Sequence, residues 1–240
     1  IGFAELQQSN FDVANWPNFT GGGQRFRVRT QYGLKRSDFV ISLTEPWFMG
    51  YKLSTGVEGF YRNANFLSSA YSQENVGVAF QMRKQIWRAL AARAEYRIER
   101  LRIYDVDDNN GTGVNDNVIE ESEDTYNKSA VTGSLIWDTR DSLFLTRKGE
   151  TVEFTGFVGG GPLGGDVQDY GLSLEASKYF PLPWDLIFLV KGQLSLTEGW
   201  GSDKKDKYGD GVPIFDRLYL GGANNMRGFN FREVGPVDSE

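Results

Sequence analysis

Apolar and polar side chains alternate along most of this chain with a period of two residues. In residues 25–32, one face carries phenylalanine, valine, threonine and tyrosine, and the other carries three arginines and a glutamine. The same alternation recurs through residues 76–83, 91–99 and 186–197. Successive side chains of a β-strand point to opposite faces of a sheet, which gives this period. The chain is therefore predicted to be all-β.

The pattern predicts ten strands of 9 to 15 residues. Strands of about five or six residues are the usual length in globular sheets, so these are long. The predicted ranges are 2–11, 24–32, 39–48, 52–64, 74–84, 89–103, 129–138, 150–159, 169–180 and 185–198.

The connections between these strands are of two alternating kinds. One kind carries an aromatic residue beside a turn-former or a charge: 15–23, 45–52, 84–89, 138–149 and 180–185. The other kind is polar and mostly longer: 33–38, 63–75, 104–127, 159–169 and everything after Gly199. Short periplasmic turns, longer outer loops and interfacial aromatic residues are typical of outer-membrane barrels. The aromatic turns are therefore predicted to face the periplasm.

A soluble β-sandwich also has one apolar and one polar face on each sheet. The strand length, the charges of both signs on the polar faces and the two kinds of connection favour a barrel with a wet lumen. The predicted fold is a transmembrane antiparallel β-barrel. The alternation slips near Arg100, where Leu101 and Ile103 change sides. Either a β-bulge or emergence of the strand from the bilayer explains this slip.

Composition narrows the chemistry that the chain can carry out. The 240 residues include neither cysteine nor histidine, which excludes a thiol nucleophile, a His-based triad and a Cys/His zinc site. A net charge of −6 does not suit a nucleic-acid binder. The mean hydropathy is −0.43, and no run approaches the roughly 18 to 20 apolar residues of a membrane-spanning helix. We expect no enzyme activity, no cofactor and no metal.

Two motifs in the longer loops are expected to be ordinary surface segments. Residues 104–117 are acidic, but counting from Asp105 puts Asn110 where an EF-hand has glycine and Asp116 where it has glutamate. Residues 159–165, GGGPLGG, lack the lysine of a phosphate-binding loop and are expected to join two strands.

Three segments resemble the barrel of the BamA superfamily, which includes the insertase BamA, TamA, two-partner secretion transporters and organellar relatives. Residues 41–62 contain a Glu-Pro-Trp-Phe turn. Residues 136–154 contain an Asp-Thr-Arg turn, with Leu145 where the family usually has proline. Residues 215–236 contain Met-Arg-Gly-Phe, where valine is commoner in the first position. The resemblance covers nearly the whole chain in the family's order.

The resemblance implies a sixteen-stranded barrel, of which residues 1–240 are a partial barrel domain. The ten strands are then expected to be strands two to eleven, and residues 199–240 the sixth extracellular loop. The first strand, the last five strands and the periplasmic POTRA domains are expected in a longer polypeptide.

The same resemblance implies that this loop folds back into the lumen. Arg227 is expected to lock it there by charge-assisted bonds to acidic residues of strands twelve and thirteen, beyond Glu240. The expected lock consists of Met226, Arg227, Gly228 and Phe229. The expected supporting loop residues are Asp216, Gly221 and Gly222. The expected periplasmic turn residues are Pro46, Trp47, Phe48, Asp138, Arg140 and Gly149.

The function implied by the resemblance is ATP-independent folding and insertion of nascent β-barrels in the bacterial outer membrane. A weak seam between first and last strands would template incoming strands by edge pairing. The implied partners are unfolded outer-membrane protein clients, accessory assembly lipoproteins, periplasmic chaperones and the lipid bilayer. The alternative is a two-partner-secretion-type transporter that exports one dedicated partner protein.

Overall fold

The computed structural model is a single antiparallel sheet of ten strands. It describes residues 2–34, 36–64, 72–104, 124–200, 211–213, 215–221 and 226–229. The strands are β1 (Gly2–Phe11), β2 (Gln24–Tyr32), β3 (Arg36–Glu45), β4 (Leu53–Ala64), β5 (Ser72–Gln85), β6 (Leu90–Tyr104), β7 (Thr125–Asp138), β8 (Gly149–Gly159), β9 (Asp169–Pro181) and β10 (Ile187–Gly199). Each strand pairs with its neighbour in sequence.

The ten predicted strands are confirmed, and the largest difference in their ends lies at β7. This strand begins at Thr125, four residues before the predicted start at 129. Two short 3₁₀ turns accompany the strands, Phe48–Gly50 between β3 and β4 and Gly161–Leu163 between β8 and β9. Within the described residues, β1 and β10 do not pair with each other, so the sheet is open between them.

The two faces of the sheet differ in chemistry, as the alternation predicts. One face carries exposed apolar side chains across the whole sheet. Val78, Phe80, Leu135 and Leu174 are among them. The opposite face, which we call the lumen face, carries the charges. Its ion pairs include Arg27–Glu5 at 2.9 Å, Arg93–Glu153 at 2.7 Å and Lys191–Glu175 at 2.8 Å.

The sheet curls around its lumen face. A cavity of about 300 Å³ on this face is lined by residues of five successive strands, from Gln7 on β1 to Gln81 on β5. Side chains from strands so far apart line one cavity only if the sheet is curved. The described residues contain no helix with the length and hydrophobicity needed to cross a membrane.

No β-bulge interrupts β6 where the alternation slips. Its pairing runs unshifted from Ala91 to Tyr104 against β5, and it is also continuous against β7. Leu101 and Ile103 keep the lumen-facing side of the strand and are 2% and 1% exposed. On the lumen face of β6, apolar side chains thus follow charged ones without any change in pairing. The β-bulge explanation of the slip is wrong.

A charge is expected to be tolerated on the lumen face and rejected on the apolar face. Leu174→Arg places a guanidinium among the apolar partners Phe154 and Leu194. We expect it to destabilise the barrel by about 2–4 kcal/mol in a bilayer. Ser173→Arg, one residue away on the lumen face, is the matched control. Denaturant unfolding in lipid vesicles measures both, and equal costs would contradict the assignment of the faces.

Candidate functional site: a loop anchored on the lumen face

The chain returns to the lumen face after β10, and we call its described residues there, 211–213, 215–221 and 226–229, the lumenal loop. The first part of this loop is deeply buried: Val212 is 6% and Phe215 is 7% exposed, and Pro213 is fully buried. The ring of Phe215 packs against that of Tyr126 on β7, with 5.3 Å between their centroids. Gly211 lies against Gly199 so closely that a side-chain carbon on Gly199 would collide with the Gly211 carbonyl. The base of the loop is thus packed against the ends of β7 and β10.

A tight turn fixes the direction of Asp216. The carbonyl of Pro213 accepts hydrogen bonds from the backbone N–H groups of Asp216 (3.0 Å) and Arg217 (3.2 Å). The Arg217 side chain donates from Nε to the Val212 carbonyl at 3.0 Å. These bonds close the turn on itself, so the Asp216 carboxylate is held facing the sheet.

The Asp216 carboxylate meets a lysine on the lumen face. Lys128 Nζ lies 2.7 Å from Asp216 Oδ2 and 3.1 Å from Oδ2 of Asp169, which begins β9. The Lys128 side chain is 9% exposed and that of Asp169 is not exposed. Lys128 Nζ also lies 5.1 Å from the centroid of the Phe157 ring on β8. One ammonium therefore joins β7, β9 and the lumenal loop; we call these three charged residues the lysine anchor.

The lysine anchor contains two carboxylates for one ammonium. Burial raises the pKa of Asp216 to about 7; Lys128 opposes this rise and the Asp169 carboxylate adds to it. In addition, Asp169 Oδ1 is buried and has no hydrogen-bond partner among the described residues. The site thus binds the loop through a charge-assisted bond while it also holds an excess of negative charge.

Gly159 and Trp200 fix the position of Asp169 beside Lys128. A side-chain carbon on Gly159 would lie 2.5 Å from Asp169 Oδ1, so glycine at the end of β8 leaves room for this carboxylate. Trp200 closes the other side, because its Nε1 donates to the carbonyls of Gly159 (3.1 Å) and Asp169 (3.3 Å). Residues 159–165 join β8 and β9 as predicted, and Gly165 forms a β-bridge with Lys128.

The Met-Arg-Gly-Phe segment lies further along the loop and is exposed. Gly228 has a φ of +94°, a conformation that favours glycine. Arg227 is exposed, and within the described part of the chain its side chain has no ion pair or hydrogen bond. Its predicted pairing with strands twelve and thirteen stays a prediction. Of the predicted supporting residues, Asp216 belongs to the lysine anchor, Gly221 is buried, and Gly222 lies outside the described residues.

The predicted turn residues lie at the opposite end of the strands from the lysine anchor. Arg140 binds Asp138 through both carboxylate oxygens, at 3.0 and 2.7 Å. Leu145, where the family usually has proline, donates its N–H to Ser142 Oγ at 3.2 Å, a bond that proline lacks. Gly149 has a φ of +105°. These residues therefore shape one hairpin and do not join the lumenal site.

The turn at the end of β3 presents its aromatic residues to the outside. Pro46 precedes Trp47 and Phe48, whose exposed fractions are 55% and 39%. The backbone N–H of Trp47 donates to Glu45 Oε1 at 3.1 Å. Lys52 Nζ lies 5.5 Å from the centroid of the Trp47 ring. Such exposed aromatic rings beside charges suit a membrane–water interface.

Sequence reasoning missed Lys128 and Asp169. Lys128 shares the lumen-facing parity of Ala130, Thr132 and Ser134, which identifies its face but gives no partner. Lys128 falls between the predicted acidic loop, 104–127, and the predicted strand, 129–138, so the prediction gives it no role. The segment 105–117, which was compared with an EF-hand calcium loop, lies outside the described residues.

Comparison with known proteins gives the family. A family model described as the Omp85 superfamily domain matches residues 18–240. The chain belongs to the Omp85 superfamily. This confirms the resemblance of the three sequence segments to the BamA-type barrel.

Individual relatives of this Omp85 chain are distant but cover nearly all of it. It is 27% identical over 225 residues to outer membrane protein assembly factor BamA of Nitratidesulfovibrio vulgaris, covering 93% of this chain and 26% of that protein. It is 22% identical over 236 residues to sorting and assembly machinery component 50 homolog B of Xenopus laevis, covering 92% and 44%. The chain therefore spans less than half the length of these relatives.

A solved structure shares the fold of this Omp85 chain. The crystal structure of BamA from Haemophilus ducreyi lacking POTRA domains 1–3 superposes with a TM-score of 0.77 at 19% identity, covering 98% of this chain and 44% of that one. Together with the family and the BamA relative, this likeness identifies the Omp85 chain as a bacterial outer-membrane β-barrel protein. The numbering of its strands as two to eleven stays a prediction.

Replacing Gly149 by alanine is expected to destabilise the β7–β8 hairpin. The new side-chain carbon would lie 2.5 Å from the Thr139 carbonyl, at a positive φ that alanine disfavours. We expect a cost of about 1–3 kcal/mol. Gly133→Ala on β7 is the matched control, because a side-chain carbon there meets nothing within 4 Å. Thermal unfolding of both variants measures the difference, and equal stabilities would contradict this account of the turn.

Removing the Phe215 ring is expected to loosen the base of the lumenal loop. Phe215→Ala loses a buried ring and its contact with Tyr126, at a cost of about 3–5 kcal/mol. Leu218→Ala, on a side chain that is 48% exposed, is the control. Limited proteolysis of the folded protein measures the effect as faster cleavage within residues 211–221. Unchanged cleavage of the Phe215 variant would show that the ring does not hold the loop.

Proposed function

We propose that this chain is part of the membrane barrel of an assembly factor that folds and inserts other β-barrel proteins. The family supports the proposal, as do relatives in bacteria and animals that are named for assembly or for sorting and assembly. In this proposal the barrel acts without bond-making chemistry and without a cofactor.

The observation that carries the proposal is the seated base of the lumenal loop. Val212, Pro213 and Phe215 are buried against the lumen face, and Asp216 is bound to Lys128. A partner exported through the lumen would have to displace this packed segment. A client folded at the side of the barrel leaves it in place. The packing therefore favours lateral assembly over the export of a dedicated partner.

Templating by strand pairing gives a physical mechanism for such assembly. Unpaired backbone N–H and C=O groups at a strand edge bind an incoming strand in any sequence, because the backbone groups are common to all residues. Within a bilayer every backbone polar group needs a partner, so each newly paired strand is strongly favoured. We propose that a seam of the complete barrel provides this edge and that outer-membrane protein clients dock there.

Periplasmic partners are proposed to approach the end of the strands that carries the aromatic turns. Trp16, Trp87 and Trp184 are 78%, 68% and 89% exposed in these turns. Assembly lipoproteins and periplasmic chaperones would deliver clients from that side. The lumenal loop lies at the opposite end, so delivery and loop seating use separate surfaces.

Arg227→Ala is expected to reduce client assembly in cells that depend on the full-length protein. Loss of a charge-assisted bond costs about 1.5–3 kcal/mol, or about tenfold or more in the population of the seated loop. The measurement is the folded, heat-modifiable fraction of an abundant outer-membrane barrel after depletion of the wild-type protein. Arg147→Ala is the matched control, because this exposed arginine pairs with the exposed Asp185, at 2.9 Å.

The result separates the two functions considered. Loss of folded barrels of several kinds in the Arg227 variant supports a general assembly factor. Normal barrels together with loss of one secreted protein would overturn the proposal in favour of the exporter. Normal barrels and normal secretion would show that the Arg227 lock is not needed for function.

A further inference from the structure

Lys128 has two acceptors that differ in how they are held. Asp169 belongs to the sheet, is fully buried and lies 3.1 Å from Lys128 Nζ. Asp216 belongs to the lumenal loop, keeps 20% of its side chain exposed and lies 2.7 Å away. The ammonium is therefore shared between a fixed partner and one that depends on the position of the loop.

We infer that Lys128 is the positioning residue of the lumenal loop, and that its bond to Asp216 is a latch that opens without leaving a buried charge unpaired. Breaking an ordinary buried ion pair is costly because the remaining charge is left without a partner. Here Lys128 keeps Asp169 when Asp216 leaves, and Asp216 moves into water. The loop is held by a specific bond that is nevertheless releasable.

The charges around the closed latch oppose its closure. Glu95, Arg97 and Glu99 on β6 line the same cavity of about 270 Å³ as Lys128 and Asp216. Arg97 is already bound to Glu95 at 2.7 Å, which leaves Lys128 as the cation nearest Asp216 among the described residues that line this cavity. Burial of the Asp216 carboxylate is the larger cost of closure, and the neighbouring Asp169 carboxylate adds to it. A proton on Asp216 removes both costs, so the latch closes more firmly when Asp216 is neutral.

The direction of the pH effect follows from the raised pKa of Asp216. Burial raises this pKa to about 7 in the seated loop, from an ordinary value of 3.8. Seating is then fully favoured below the ordinary pKa, and this contribution is lost as the pH rises through about 7. Between pH 6 and pH 8 the seating equilibrium is expected to fall about tenfold.

A cysteine at position 212 reports on the latch, since residues 1–240 contain no other cysteine, and any cysteine elsewhere in the full-length protein is replaced by serine. Val212→Cys places a thiol at a site that is 6% exposed while the loop is seated. The full-length protein in lipid vesicles is labelled with a polar maleimide between pH 6 and pH 8. Leu218→Cys, at an exposed site of the same loop, corrects for the pH dependence of thiol reactivity. The corrected rate at position 212 is expected to rise about tenfold from pH 6 to pH 8.

Asp216→Asn distinguishes a latch from a merely structural contact. Asparagine keeps an acceptor for Lys128 and mimics the neutral acid, so its corrected labelling profile is expected to change less than twofold over the same pH range. Lys128→Met is expected to label at least tenfold faster than wild type at pH 8, and Lys128→Arg to restore protection. A flat wild-type profile, or an Asn variant with the wild-type slope, would overturn the inference. The labelling experiment involves no client protein. Its outcome therefore tests the latch separately from the proposed function.

Discussion

The ammonium of Lys128 lies between a carboxylate of the sheet and a carboxylate of the loop that returns to it. A charge so little exposed to water is stable only while partners surround it, and both partners come from distant parts of the chain. The placement of β9, the turn at Pro213 and the packing of Phe215 all serve this arrangement. Because the bond joins the wall of the barrel to its interior loop, the position of one depends on the other.

Glycines of β8 and β9 leave the space that the groups around the lysine anchor occupy. Phe157 lies against Gly171, where any larger residue would collide with its ring, and this ring in turn borders Lys128. Gly159 leaves room for the Asp169 carboxylate. A lumen wall built of large residues throughout would keep the loop at a distance. The small residues of β8 and β9 therefore form the seat into which charged and aromatic groups fit.

Much of the fold could be predicted because a period of two is a local property. The alternation located all ten strands, and it assigned the correct face to residues such as Leu194 and Gln193. The alternation does not extend to the start of β7, because the polar residues from Thr125 to Lys128 match the composition of a loop. Those residues are in a strand because they pair with β6, and Lys128 there meets partners 41 and 88 residues away. No local pattern contains such information, so Lys128 and Asp169, two of the three residues of the lysine anchor, could not be identified from the sequence. Asp216 was found through resemblance to a family, without any indication of what it binds.

The same sequence separation bears on the order in which the barrel forms. Pairs of adjacent strands are joined by short connections and are entropically inexpensive to close, whereas the contact between Lys128 and Asp216 encloses a loop of 88 residues. The chain between these two residues contains β8, β9 and β10, so closing it costs more entropy than closing a single hairpin. Closure of the loop onto the wall is therefore expected to follow the pairing of the strands between.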